Sequence, residues 1–419
     1  MKIALLAYHL KGISGIARHI LRQAREMTDM GHEVDVWAME YDAEKCYPEL
    51  VHGIDIHSVF PVNRVTQSNE ESILGVRMLS YLNDMRRRYN MQKRMFEQMA
   101  NDYDVINPHG HTVSWAAVMY KRQYDAPVIW LCNDFWVPGG SMISRQHSSG
   151  IKSKIKDGLT LPIRRYDHNI VNDIDRIVVL SHLVGDDIEK EYNIKPNIIP
   201  TGVDPITIDV AAGQEIRRRY GFHDDTFLLI TIALLMERRR TEDVIRAVEK
   251  LRGEGINVGY LIVGRESYRP EYVKRLKDEV QTNQLGDYIK FAGEIPGEDL
   301  EPALNAGDAF VWSADATQSW GMACLEAMTA RVPAIVSNSN GLSEALEHNV
   351  NALLYDGENI DSLVSQIKRM MDDADLREKV RLAGQQFAIE KYSWRGNAES
   401  MLTLFRESMN TQSPELITE

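Results

Sequence analysis

The chain has 419 residues, 44% of them apolar and 26% charged, and a formal charge of −13. That length exceeds one ordinary domain and predicts two or three, while the negative balance excludes a protein that coats nucleic acid through phosphate contacts. Cys46, Cys132 and Cys324 are scattered, with neither metal-ligand spacing nor an even disulfide count, and no apolar run reaches the roughly 18 residues of a membrane span. MKIALLAYHL lacks the small-residue cleavage site of a signal peptide, so a cytoplasmic protein is expected.

Short β-rich apolar runs recur along the chain with helix-period segments between them. In the first half they read KIALLAY, EVDVWAM, IDIHSV, DVINP, VIWLC, RIVVL and NIIP. In the second half they read FLLITIALL, YLIVG, YIKFAG, AFVW, AIVS and NALLY. Strands that are apolar throughout, rather than alternating, are buried on both faces, and their alternation with amphipathic helices is the pattern of parallel sheets. Apolar residues at Ile16, Ile20, Leu21, Ala24 and Met27 predict a helix that ends at Gly31. Asp361 and Ser362 precede LVSQIKRMM, a second helical pattern, and the tail from Ala383 to Met409 reads helical with a break at Tyr392-Ser393-Trp394. The segment Pro200-Thr201-Gly202-Val203-Asp204-Pro205 punctuates the passage from one series of strands to the next. The expected fold is therefore α/β with two doubly wound parallel sheets, in domains spanning 1–204 and 205–388, with a helical tail over 389–419 that packs back on the first. Ligands of such sheets sit beyond the carboxyl ends of the strands, so a cleft with one substrate on each wall is expected.

Residues 311–344, VWSADATQSWGMACLEAMTARVPAIVSNSNGLSE, read as strand, polar loop, helix, strand and glycine turn. A helix that begins at the carboxyl end of a parallel strand favours a phosphate at its N-terminus. Gly321 lets backbone approach that phosphate, Ser319 offers a hydroxyl, and Glu326 lies far enough along the helix to reach a sugar hydroxyl. An ordinary βαβ unit with a solvated Glu326 fits the same letters. After FLLITIALL comes Glu237-Arg238-Arg239-Arg240, where the guanidinium of Arg239 suits bidentate contact with phosphate. A solvated helix start paired to Glu237 and Glu242 is the alternative. Two basic clusters stand in the first domain: Arg86, Arg87, Arg88, Lys93 and Arg94, and then Arg145, Lys152, Lys154, Lys156, Arg164 and Arg165 against Asp157. They fit docking on an anionic membrane surface or simply solvated helix faces.

Taken in order, KGISGIARH (Lys11 to His19), Gly31-His32-Glu33-Val34, Asp104-Val105 followed by His109, PTGVD (Pro200 to Asp204), LIVG (Leu261 to Gly264), QSWGMACLEAM and NGLSE resemble the motifs of a family-4 glycosyltransferase of the GT-B fold, over essentially the whole length. The resemblance implies two Rossmann-like domains facing an interdomain cleft. It implies a retaining transfer of a hexose-type sugar from a UDP- or GDP-type nucleotide sugar to a hydroxyl of a glycan, lipid-linked or small-molecule acceptor, with no metal and no cofactor beyond that co-substrate. It gives catalytic roles to His109, Arg239 and Gln318, donor contacts to Gly15, Arg239, Ser319, Trp320, Gly321, Met322 and Glu326, and acceptor contacts to His109 and Asn133. The chain departs from the pattern at Gln318, where the first of two paired glutamates is expected. It departs at Leu234, where an Arg is usual, at Arg239 in place of a Lys, and at Asn133 in place of a His. These departures keep open a noncatalytic nucleotide-sugar-binding or regulatory subunit, and a sugar-nucleotide epimerase on the same fold.

Overall fold

The computed structural model describes residues 1–12, 14–62, 74–133 and 164–412. The chain divides into two compact units, one made of Met1–Gly202 together with the segment from Trp394 onward, the other of Val203–Ser393.

In the first unit β1 (Lys2–Leu10), β2 (Glu33–Tyr41), β3 (Asp55–Phe60) and β4 (Val105–Pro108) form a sheet ordered β3-β2-β1-β4. Single parallel bridges, Ile106 to Val128 and His109 to Leu131, extend it to β5 (Ile129–Cys132), β6 (Arg176–Val179) and β7 (Asn197–Ile198). The helices are α1 (Gly15–Asp29), α2 (Leu74–Gln98), α3 (Ser114–Tyr124), α4 (described over 164–171), α5 (His182–Tyr192) and, from the returning segment, α13 (Trp394–Gln412). The absence of alternation in β1 now has its cause. Ile3, Leu5, Ala7 and Leu10 enter a core shared with α1 and α13, whereas Ala4 and Leu6 enter a second core on the opposite face, built with α2 and α3. Phe405 and Met401 of α13 are completely buried in the first of these, each stabilising it by about 2 kcal/mol. Helix α1 ends where Gly31 takes φ +86, a left-handed conformation that glycine adopts without strain.

The second unit holds β8 (Phe227–Ile232), β9 (Val258–Val263), β10 (Ile289–Gly293), β11 (Ala309–Trp312), β12 (Ala334–Ser337) and β13 (Leu353–Tyr355), all parallel, in the order β10-β9-β8-β11-β12-β13. Its helices are α6 (Val210–Arg219), α7 (Thr241–Gly253), α8 (Pro270–Thr282), α9 (Leu300–Ala306), α10 (Met322–Thr329), α11 (Ile360–Asp372) and α12 (Ala374–Lys391). Helices α7, α8 and α11 build one core with the sheet, α6 packs on α9, and α10 packs on α12. Helix α11 starts one residue before the expected Asp361-Ser362 signal: Asn359 caps it, its side chain accepting from the Ser362 N–H at 3.0 Å. No helix among the described residues is long and apolar enough to cross a membrane. Of the two basic clusters, Arg145, Lys152, Lys154 and Lys156 lie outside the described residues. Within α2, Arg94 sits over the Phe60 ring and Lys93 pairs with Glu97.

Candidate functional site

Both sheets reverse their strand order once, between β1 and β4 and between β8 and β11. The two loops that leave such a pair diverge to opposite faces, and the crevice between them is where ligands of open α/β sheets bind. In the second unit the loop after β8 turns through Glu237–Arg239, with Arg240 at φ 49, before α7 begins. The loop after β11 runs from Ser313 to Gly321. Two bonds staple these loops together: the Ser313 hydroxyl donates to the Arg239 carbonyl at 2.7 Å, and the Asp315 N–H donates to the Arg238 carbonyl at 3.0 Å.

The arginines of this loop differ in environment. Arg240 binds Asp243 at 2.6 Å and Glu358 at 3.2 Å, while Glu242 accepts from the Tyr272 hydroxyl. Arg239, half-buried, lies with its guanidinium carbon 4.7 Å from the centroid of the Trp312 ring, a cation–π contact. Trp312 is 3% exposed, and its indole N–H has no partner among the described residues. A Cβ at Gly321 would stand 3.0 Å from the indole Nε1 and Cε2 and 3.0 Å from Leu342 Cδ2, so glycine lets the start of α10 close on the ring edge. No side chain caps α10, and its first turn carries no acid. Its leading amides are thus available to an anion.

Around this core the other expected donor residues take distinct positions. Gln318 spends its Nε2 on the Trp320 carbonyl at 2.7 Å and receives the Gly341 N–H on its backbone carbonyl at 3.0 Å, while its Oε1 is buried with no partner among the described residues. Ser319 is buried, Met322 half-buried, and Trp320 packs edge-on against Tyr392 with ring centroids 5.5 Å apart. Glu326 is 5% exposed, which excludes the solvated helix glutamate considered above. Glu344 is exposed, and the short turn it belongs to is capped by Asn340, whose side chain accepts from the Leu342 and Ser343 N–H groups.

In the first unit the loop after β1 leads to α1, where the Ser14 hydroxyl accepts from the Ala17 N–H at 3.2 Å and Gly15 is exposed. The buried carboxylate of Glu40, at the end of β2, holds Lys11 of this loop and lies 3.5 Å from His9, whose pKa burial pushes down to about 4. Past β4 comes His109, 2% exposed, its ring edge-on to His19 of α1 at 5.5 Å between centroids. Burial lowers the pKa of His19 to about 4, with hydrogen bonding to Asn133 and Asn397 opposing it, and lowers that of His109 well below the ordinary range. Both imidazoles are neutral at pH 7. Trp394 of α13 packs on His19 at 5.5 Å. His109 and Asn133, expected from the sequence, thus meet around a histidine that was not. His111 lies 2.6 Å from Asp167, a carboxylate that also accepts from the Tyr192 hydroxyl at 2.7 Å. Removing His111 would take away one of the partners of a buried acid.

Three side chains to which the sequence assigned no role stand at these two crevices: His19, Asn107 and Trp312. A signal existed for the first, since His19 and Gln23 are polar residues four apart within the buried stripe of α1. Trp312, at the end of an apolar strand, carries no signal apart from its core role.

Residues 13–206 match the family model described as Glycosyltransferase Family 4, and residues 213–387 match the one described as Glycosyl transferases group 1. An uncharacterized glycosyltransferase of Methanocaldococcus jannaschii is 24% identical over 98% of this chain and 99% of its own length. A D-inositol 3-phosphate glycosyltransferase of Pseudarthrobacter chlorophenolicus is 22% identical over 90% of this chain and 88% of its own. Among solved structures, Anabaena HepE in complex with UDP and glucose superposes with a TM-score of 0.75 at 17% identity, covering 97% of this chain and all of that one (100%).

Proposed function

This chain belongs to the family-4 glycosyltransferases of the GT-B fold, and from that premise we propose that it moves a hexose from a UDP- or GDP-type nucleotide sugar to a hydroxyl acceptor with retention at the anomeric carbon. Relatives point to both nucleobases: the HepE structure holds UDP, and mycobacterial and corynebacterial relatives are described as GDP-mannose-dependent. Names among the relatives likewise run from phosphatidylinositol mannosides to inositol phosphate, so a glycan, lipid-linked or small polar acceptor is proposed as a class.

What carries this reading is Arg239 laid on Trp312 at the strand reversal of the second unit, beside the uncapped start of α10. In the proposed reaction the bond from the anomeric carbon to the diphosphate oxygen breaks while the acceptor oxygen bonds to the same face. The acceptor proton then leaves on the departing phosphate oxygen, which same-face attack places beside it. Negative charge grows on the diphosphate as the bond breaks, so a guanidinium and helix amides aimed there stabilise the transition state more than the ground state. Guanidinium and amides supply the neutralisation that a divalent ion would otherwise give, and no metal is required by the proposal. Gln318 Oε1 offers an acceptor for a sugar hydroxyl where a glutamate would offer a charge. Glu326 is proposed to accept from the nucleotide ribose, and His109 to contact the transferred hexose.

The test is donor hydrolysis without acceptor. Slow release of UDP or GDP from one nucleotide sugar, lost by about 100-fold or more in Arg239→Ala with unfolding behaviour unchanged, is expected. Release that survives Arg239→Ala overturns the assignment of that residue, and nucleotide-sugar binding with no release across hexose donors and a broad acceptor panel overturns the proposed reaction.

A further inference from the structure

The ladder between β4 and β5 has a gap. Ile106 N–H donates to the Pro127 carbonyl at 2.9 Å and Gly110 N–H to the Leu131 carbonyl at 2.9 Å. At two-residue spacing the donor between them belongs to residue 108, opposite the Ile129 carbonyl, but residue 108 is proline and has no N–H. The Ile129 carbonyl is buried between strands and needs a donor. The side chain of Asn107, itself 0% exposed, supplies it: Nδ2 lies 2.5 Å from the Ile129 oxygen.

That contact settles the orientation of the Asn107 amide. The flipped amide would set two carbonyl oxygens against each other, so Oδ1 must point the other way, where it lies 3.0 Å from Nε2 of His109. An amide oxygen only accepts, hence Nε2 carries the hydrogen. Burial holds the ring neutral, and a neutral imidazole has one hydrogen, so Nδ1 is a bare lone pair. Nδ1 is buried and has no partner among the described residues.

We infer that Asn107 is a positioning residue that locks His109 in the Nε2–H tautomer, so that His109 meets its ligand through Nδ1 as a hydrogen-bond acceptor: it accepts a hydrogen bond from a sugar hydroxyl and does not donate to a phosphate. The functional half of this inference rests on the nucleotide-sugar reading above; the tautomer does not. A buried acceptor left without a donor destabilises the empty site, and a hydroxyl that fills it binds the more tightly for that. The device is a chain of three consecutive residues, in which Pro108 withdraws a donor, Asn107 replaces it, and His109 is oriented as a result.

The experiment is nitrogen NMR on protein carrying ring-labelled histidine, with the His109 signals assigned by their loss in His109→Gln. Wild-type protein at pH 7 is expected to show Nε2 protonated and Nδ1 bare. A protonated Nδ1, whether as the other tautomer or as imidazolium, overturns the inference with no variant needed. Asn107→Leu is expected to lose the single tautomer and to lower kcat/KM for donor hydrolysis by about 10- to 100-fold. Pro108→Ala, which returns a backbone donor to Ile129, is expected to loosen the lock with the Asn107 side chain still present. Both variants retaining a pure Nε2–H ring would show that Asn107 does not orient it. If no nucleotide sugar is turned over by wild-type protein, the nucleotide-sugar reading fails while the tautomer result still stands by itself.

Discussion

Replacing Gly264 by alanine tests whether the end of β9 sets the course of the loop that carries Arg239. Gly264 donates its N–H to the Gly293 carbonyl at 2.9 Å, and its neighbour in the ladder, Ala233, donates to Val263 at 3.0 Å. A Cβ on Gly264 would lie 1.8 Å from the Ala233 carbonyl oxygen and 3.0 Å from its carbon. Ordinary contact begins near 3.4 Å, so these two stretches of backbone would have to part by roughly 1.6 Å. Gly264 is not in the left-handed region, so contact alone decides the outcome. The obstacle is main chain, and no change of rotamer relieves it. A movement of that size breaks the Ala233–Val263 hydrogen bond, at about 1 kcal/mol, and the crowding that remains adds about 1–3 kcal/mol. A loss of about 2–4 kcal/mol in the stability of the second unit is expected. Ala233 opens the loop that leads to Arg239, and misplacing a group by about 1 Å can cost about 100-fold in rate. Donor hydrolysis per folded molecule is therefore expected to fall by about two orders of magnitude. Urea unfolding followed by tryptophan fluorescence, beside nucleoside-diphosphate release, reads both effects. A variant within about 0.5 kcal/mol of wild type would refute the steric reasoning. One that is destabilised yet hydrolyses donor at the normal rate per folded molecule would refute the link to Arg239.

Two further outcomes follow from buried titratable groups. His19 titrates near 6.5 in an unfolded chain and near 4 when folded, so between those values the unfolded chain binds more protons. Its contribution is complete above about pH 6.5 and is lost as pH falls toward 4, by about 3 kcal/mol in all; urea unfolding at pH 7 and pH 5 should show the loss and His19→Gln should shrink it, whereas an equal pH slope in both would sink the argument. Cys46, Cys132 and Cys324 are all buried, and burial pushes the thiols of Cys46 and Cys324 up. Mass spectrometry after maleimide treatment should find none of them modified in native protein and all three after denaturation, and rapid native labelling of Cys324 would contradict its placement inside α10.

The fold was legible because its cause is written locally. A strand covered on both sides must be apolar at every position, and KIALLAY and FLLITIALL are; the helix break at Tyr392-Ser393-Trp394 is where α12 gives way to α13. Register and caps were less legible. Asn359 caps α11, although Asp361 and Ser362 lie nearer the apolar run, and the helix takes in Ile360, which packs partly buried against the core that holds Leu363. In the candidate site, Arg239 and Gly321 were readable as residue types that suit phosphate, and the fold brings both against Trp312. That convergence needs the strand order, which no local pattern encodes. Asn107 is the instructive miss: the meaning of its side chain lies in a hydrogen that its neighbour lacks, opposite a strand more than 20 residues away.

The first unit is written in two pieces. Ala398, Met401, Leu402, Leu404 and Phe405 of α13 close the core that Ile3, Leu5, Ile20 and Ala24 open. During synthesis the ribosome therefore releases every residue of the second unit, an uninterrupted segment, before the layer over β1 and α1 can be completed. The half begun earliest is finished last. Until then its nascent chain carries an oily face in need of cover, and the His19 pocket, which borrows Trp394 and Asn397, has no lid.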